Sequence, residues 1–197
     1  MSEPTTQKRP RDAEATKALL LRAATEEFAE YGLAGARIDR IADRAGANKR
    51  LIYVYFGDKD RLFDAVVDDQ AQTMLKAIPF EDGDLITFAA TRFDFVLANP
   101  EARRIAVWRA FERTEPTEAE LASYRQRLAA VATAQQEGRL RADIPAADLF
   151  AIVLRMTESW LGAPQALRDT AEDEPMSRHR AALLAAVRSV VEPPASG

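Results

Sequence analysis

A chain of 197 residues with 47% apolar content can bury a sizeable core, which excludes wholesale disorder. It contains no cysteine, so disulfide frameworks and thiolate zinc sites are excluded, and no run approaches the roughly 18 apolar residues of a membrane span. The net charge of -4 hides a split: residues 1–61 carry 12 Lys plus Arg against 10 Asp plus Glu, whereas residues 62–197 carry 15 against 21, so only the first third suits a polyanion.

The opening MSEPTTQKRPR lacks the apolar segment of a signal peptide, and a cytoplasmic location is expected. Residues 1–11 read as a disordered tail. From Asp12 to Tyr31, Leu20, Ala24, Phe28 and Tyr31 recur at helical spacing, with Asp12 as N-cap and Gly32 as a left-handed stop. In RIDRIADRAG, Ile38, Ile41, Ala42 and Ala45 form an i, i+3, i+4, i+7 stripe, so a short second helix ends at Gly46.

NKRLIYVYF, residues 48–56, has the β-propensity of a strand. A lone strand among helices cannot satisfy its backbone polar groups, so a helix is expected, capped by Asn48 and stopped at Gly57. At about 100° per residue, Ile52 and Phe56 fall on one side, with Arg50, Val54 and Leu51 opposite. Two short helices joined by the tight turn GAN have the organisation of a helix-turn-helix, whose second helix enters the major groove. Arg50 is then placed to donate to guanine, and Leu51 and Val54 to touch thymine methyls. Lys49, Tyr53, Tyr55 and Lys59 are candidates for phosphate contacts, as is Arg37 at the start of the second helix.

After Gly57, Asp58 is expected to cap a fourth helix that runs through Leu62, Phe63, Val66 and Met74 to Ile78 and closes at Pro79. Five further helices follow at about 84–98, 101–112, 117–137, 146–161 and 176–191, separated by Asn99 and Pro100, Glu115 and Pro116, Gly138 with Pro145, and the acidic loop GAPQALRDTAEDEP. The expected fold class is therefore all-α with about nine helices.

IADRAGANKRLIYVYFGDKDRLF resembles the N-terminal DNA-binding domain of the TetR family of bacterial transcriptional regulators, through Ile41, Ala42, Ala45, Gly46, Lys49, Tyr53, Tyr55, Phe56, Lys59, Leu62 and Phe63. The resemblance covers about residues 12–64. It implies a three-helix DNA-binding head (12–57), a connecting helix (58–78) and a helical ligand-binding and dimerisation body (79–192), with a short tail at 193–197. Two positions depart from the usual pattern. Arg37 stands where many members have Thr or Ser, and Arg50 where many have a small residue.

Within the body, Leu149, Ile152, Val153, Met156 and Trp160 make one apolar stripe, and the last helix offers Leu183, Leu184, Val187, Val190 and Val191 beside alanines. Burial on more than one side is expected, and Leu149, Ile152, Val153, Leu184, Val187 and Val191 are the candidate homodimer interface. Phe88, Phe95, Trp108, Phe111, Tyr124, Met156 and Trp160 are the candidate lining of an effector cavity, where Arg92, Arg104, Glu158 or His179 would orient a small molecule. The catalytic inventory is poor: His179 is the single histidine, and there is no phosphate loop or HExxH pair. Asp82 and Asp84, like Glu172, Asp173 and Glu174, read as solvated loop acids. The expectation is a regulator, not an enzyme, with no cofactor and no membrane partner, that binds a palindromic double-stranded DNA operator. The alternative is a helical ligand-binding protein or carboxylate-dependent enzyme that binds no operator.

Overall fold

The computed structural model describes residues 10–80, 82–112, 115–116, 118–171 and 174–194. The expected tail residues 1–9 and 195–197, with Glu172 and Asp173 of the acidic loop, lie outside the described residues. Ten helices and no strand occur among the described residues: α1 (Pro10–Gly35), α2 (Ile38–Ala45), α3 (Arg50–Phe56), α4 (Lys59–Ala77), α5 (Leu85–Ala98), α6 (Pro100–Glu112), α7 (Glu118–Gln136), α8 (Ala146–Met156), α9 (Gln165–Asp169) and α10 (Met176–Val191). The all-α expectation therefore holds.

Three boundaries differ from expectation. The first helix starts at Pro10, so part of the supposed tail is helical, as proline at a first turn permits. The helix expected over 146–161 leaves α-geometry after Met156, and α9 forms inside the stretch read as an acidic loop. Asp84 is exposed but not idle: its carboxylate accepts from the Ile86 and Thr87 N–H groups at 3.1 and 2.9 Å and caps α5.

The described residues divide into two compact units, one drawn from Met1–Thr73 and Pro100–Thr114, the other from Met74–Asn99 and Glu115–Gly197. In the first unit, Leu20, Ala24 and Phe28 of α1 bury themselves against Ile41, Ile52, Leu62, Phe63 and Val66. Phe28 meets Phe63 edge-on at 5.1 Å between centroids. Helix α6, expected in the body, instead packs along α1, with Ile105 in this core. Gly32 interrupts α1 at φ 66°, ψ -179°, a region open essentially to glycine alone. A Cβ there would sit 2.9 Å from the Trp108 indole, which lies over the kink and donates from Nε1 to the Ala29 carbonyl at 3.3 Å.

The second unit has its own core, built from Phe88 and Phe93 of α5, Val131 and Ala134 of α7, Leu149, Phe150 and Val153 of α8, and Leu183, Val187 and Val191 of α10. No helix among the described residues is long and apolar enough to cross a membrane.

Candidate functional site

The turn between α2 and α3 is built by backbone chemistry that glycine makes accessible. Gly46 adopts φ 60°, ψ 31°. Its N–H donates to the Asp43 carbonyl at 3.1 Å and the Ala47 N–H to the Ala42 carbonyl at 3.0 Å, the paired bonds of a Schellman stop. Asn48 then opens α3, its Oδ1 accepting from the Arg50 N–H at 2.8 Å.

With α3 fixed at both ends, its faces separate cleanly. Ile52 is fully buried in the first unit's core, and Leu51, Tyr55 and Phe56 are half-buried against it. Lys49, Arg50, Tyr53 and Val54 are exposed together, the last two at 48% and 64%. At about 100° per residue these four occupy one continuous arc. Leu51, expected on the reading face, is tilted towards the core. Tyr55 likewise shows less of its ring than Tyr53 and meets Phe56 edge-on at 6.4 Å.

Three of the expected phosphate contacts have protein neighbours. Lys49 Nζ lies 2.7 Å from Asp39 Oδ1, and this hydrogen bond and charge raise the lysine pKa and lower that of the aspartate. Lys59, half-buried, donates to the carbonyls of Ala34 at 3.5 Å and Ala36 at 3.3 Å. Arg37 presents an exposed side chain, while its backbone N–H donates to Glu27 Oε1 at 2.9 Å.

Glu27 is the residue that the sequence did not disclose. It sits on α1, fully buried, and also accepts from Arg40 Nε at 2.8 Å, with Arg44 Nη2 3.9 Å from Oε2. Helix α2 has no side-chain cap of its own, and Glu27 takes the donor that a capping-box glutamate would satisfy from within the helix. Burial pushes the Glu27 carboxyl up. Hydrogen bonds from Arg40 and the Arg37 backbone, with the charges of Arg40 and Arg44, more than offset this and hold it below its ordinary value. The buried carboxylate thus ties α1 to the start of α2, which sets the turn and α3 beyond it.

In the second unit the expected effector-lining residues do not form one set. Phe88 is buried in the core, Phe95 and Met156 are half-buried, and Tyr124 is exposed while its ring meets Phe150 edge-on at 6.2 Å. Trp160 stacks on His179 at 3.6 Å and 11°. Trp108 and Phe111 belong to the first unit, where Trp108 covers Gly32 and Phe111 is 80% exposed. Of the four polar candidates, Arg92 is buried and ion-paired through Nη2 to Glu158 Oε1, His179 is taken up by the tryptophan stack, and Arg104 is exposed in the first unit. Phe150, which extends the apolar stripe of its helix in sequence, joins this neighbourhood, as do Arg127 and Phe80, which carry no periodic signal that would single them out.

The candidate interface residues also divide. Leu149, Val153, Val187 and Val191 are at most 1% exposed within one protomer, so they are core and have no surface left for a partner. Ile152, 41% exposed, and half-buried Leu184 retain apolar surface, beside the exposed alanines Ala151, Ala181, Ala182, Ala185 and Ala186. A stripe that covers more than one helix face was satisfied inside the molecule first.

Residues 20–66 match the family model of bacterial regulatory proteins, tetR family, and residues 84–189 that of the tetracyclin repressor-like C-terminal domain. The HTH-type transcriptional repressor SCO4008 of Streptomyces coelicolor is 39% identical over 162 residues, spanning 80% of this chain and 84% of the relative. The HTH-type transcriptional regulator RutR of Escherichia coli K12 is 40% identical over 63 residues, 32% of this chain and 30% of its own. Among solved structures, SCO4942 of Streptomyces coelicolor superposes with a TM-score of 0.82 at 32% identity, covering 91% of this chain and 99% of that one. A TetR family regulator from Marinobacter aquaeolei VT8 shares the fold, with a TM-score of 0.74 at 20% identity over 93% of this chain and 98% of its own.

Proposed function

The chain belongs to the TetR family of bacterial regulatory proteins and is a DNA-binding transcriptional regulator, and we propose that it is a homodimeric repressor that a small-molecule effector releases from a palindromic operator. The observation that carries the DNA-reading part is the exposed arc of Lys49, Arg50, Tyr53 and Val54 on a helix whose opposite side is anchored in the core. Arg50 reads a guanine edge in the major groove and Val54 a thymine methyl. Tyr53, Tyr55, Lys49, Lys59 and Arg37 contact phosphates, Lys49 by exchanging Asp39 for the DNA backbone.

Two copies place two such helices on half-sites about one helical turn apart. The apolar surface left on α8 and α10, Ile152 and Leu184 among exposed alanines, supports a four-helix contact between copies. The effector binds the second unit and favours a conformation whose heads no longer match the half-site spacing; by linkage, operator DNA weakens effector binding to the same degree. Helix α4 is the lever, because the chain passes from one unit to the other within it, between Thr73 and Met74.

Selection of bound sequences from random DNA with the purified full chain tests this reading. A palindromic consensus is expected. No enrichment over input would overturn operator binding.

A further inference from the structure

Given the ligand-released reading, on which this inference rests, the charge pattern of the second unit bears on the chemistry that it would accept. A groove of about 490 Å³ is bordered by Ile78, Pro79, Phe80, Ser123 and Arg127, a size suited to a small organic ligand. Phe80 continues into a chain of aromatic contacts, edge-on to Phe88 at 5.4 Å and to Phe150 at 5.7 Å, with Tyr124 edge-on to Phe150.

Arg127 is half-buried at this groove, 5.7 Å from the Phe88 ring centroid, and its one hydrogen bond is a long 3.5 Å contact to the Ile78 carbonyl. Among the described residues no carboxylate pairs with it. Arg92 is 8% exposed, and its Nε is buried with no hydrogen-bond partner. Glu158, the acid that pairs with Arg92, is also engaged by Arg155 Nη1 at 3.7 Å. Burial pulls both guanidinium groups below their ordinary pKa; at Arg92 the charge of Glu158 and then Tyr124 partly counter it, whereas at Arg127 only Tyr124 does and the charge of Arg92 lowers it further. A guanidinium withdrawn from water without an acid is unfavourable, and a carboxylate matches its planar fork with two parallel hydrogen bonds.

We propose that the effector is an organic carboxylate on a flat apolar body, its head held by Arg127 with Arg92 adding positive potential and its rings against Phe80, Ile78 and Pro79. Cations are disfavoured, because the two arginines repel them and Glu158, the acid paired with Arg92, is already doubly engaged. Neutral ligands of the same shape gain the apolar contacts and forgo the charge-assisted bonds.

The test is a charge series of one shape: 2-naphthoate, 2-naphthamide and 2-naphthylmethylammonium, titrated calorimetrically into the full-length protein. Naphthoate is expected to bind about 10-fold or more tighter than the amide, as charge-assisted hydrogen bonds imply, with the ammonium weakest. Arg127→Gln should bring the naphthoate-to-amide ratio close to 1, and Arg127→Lys should retain part of it. Equal affinities in the wild-type protein, a preference for the ammonium, or no naphthoate binding would each overturn the proposal, as would a folded Arg127→Gln protein with the wild-type ratio. If Arg127→Gln fails to fold, Arg127→Lys and the wild-type series decide it. Release of selected operator DNA is scored separately: naphthoate bound with the DNA still held supports the anion site and overturns ligand release.

Discussion

Replacing Glu27 by glutamine removes one charge and almost no volume. Both the Arg37 N–H and the Arg40 guanidinium donate to one Glu27 oxygen, Oε1, so glutamine can keep both contacts but offers them a neutral acceptor, and its NH2 group replaces the Oε2 that faces Arg44. A hydrogen bond to a charged acceptor contributes about 1.5–3 kcal/mol against about 0.5–1.5 for a neutral one, a difference of about 1 kcal/mol for each of the two contacts. The Arg40 side chain is 38% exposed, so solvent screens its share, and the expected loss for Glu27→Gln is about 1–2 kcal/mol at pH 7. The folded-state pKa of Glu27 is depressed, so its contribution is present above the unfolded carboxyl value of about 4.3 and is lost as pH falls through the folded value. The gap between wild type and variant should therefore be open at neutral pH and close below about pH 4.

Urea unfolding followed by fluorescence measures this in one unit alone. The chain has two tryptophans, Trp108 in the first unit and Trp160 in the second, so a Trp160→Phe background reports only the unit that contains Glu27. A midpoint unchanged by Glu27→Gln at pH 7, or a gap that widens on acidification, would refute the role assigned to this carboxylate.

Arg50→Ala is expected to cost about 1–3 kcal/mol on the selected operator and to relax preference at one base pair, measured by mismatch-scanning binding; unchanged discrimination removes Arg50 from base reading. Lys49→Ala should weaken binding to all sequences and make the logarithmic salt slope shallower by about 1, whereas a wild-type slope leaves Lys49 paired with Asp39 on the DNA as off it. Gly32→Ala introduces both a backbone strain and a clash with Trp108, together about 2–4 kcal/mol in the unfolding of the first unit; a loss under 1 kcal/mol would mean that α1 has another way through the kink. Ile152→Lys should shift the protein from dimer to monomer in sedimentation velocity while the Trp160 unfolding midpoint stays near wild type, and an undisturbed dimer would exclude this face.

Local pattern made much of the head legible. The stripe of Ile38, Ile41, Ala42 and Ala45, the stop at Gly46 and the cap at Asn48 involve neighbours within a few residues, and each appears in the structure as read. The helix at 48–56 followed from a global argument against its own β-propensity, and its buried side through Ile52 followed from helical geometry alone. Periodicity also located α5, α7 and α10 to within a residue or two.

What periodicity does not contain is the identity of the surface that covers an apolar face. Leu149, Val153, Val187 and Val191 have the pattern of an interface and the pattern of a core alike, and only packing within the second unit showed that they are core. Trp108 has the pattern of a pocket lining, yet α6 packs against α1 with the indole over Gly32. Glu27 lies ten residues from the backbone N–H it accepts and looks in sequence like one more acid on a helix surface. The sequence alone determined the short helices of the head, the stop at Gly46 and the outward position of Arg50 and Val54 on α3, because those depend on interactions a few residues apart. The tertiary structure alone decided which charges are buried together and which apolar faces remain free, because those depend on partners that only the folded chain brings within reach.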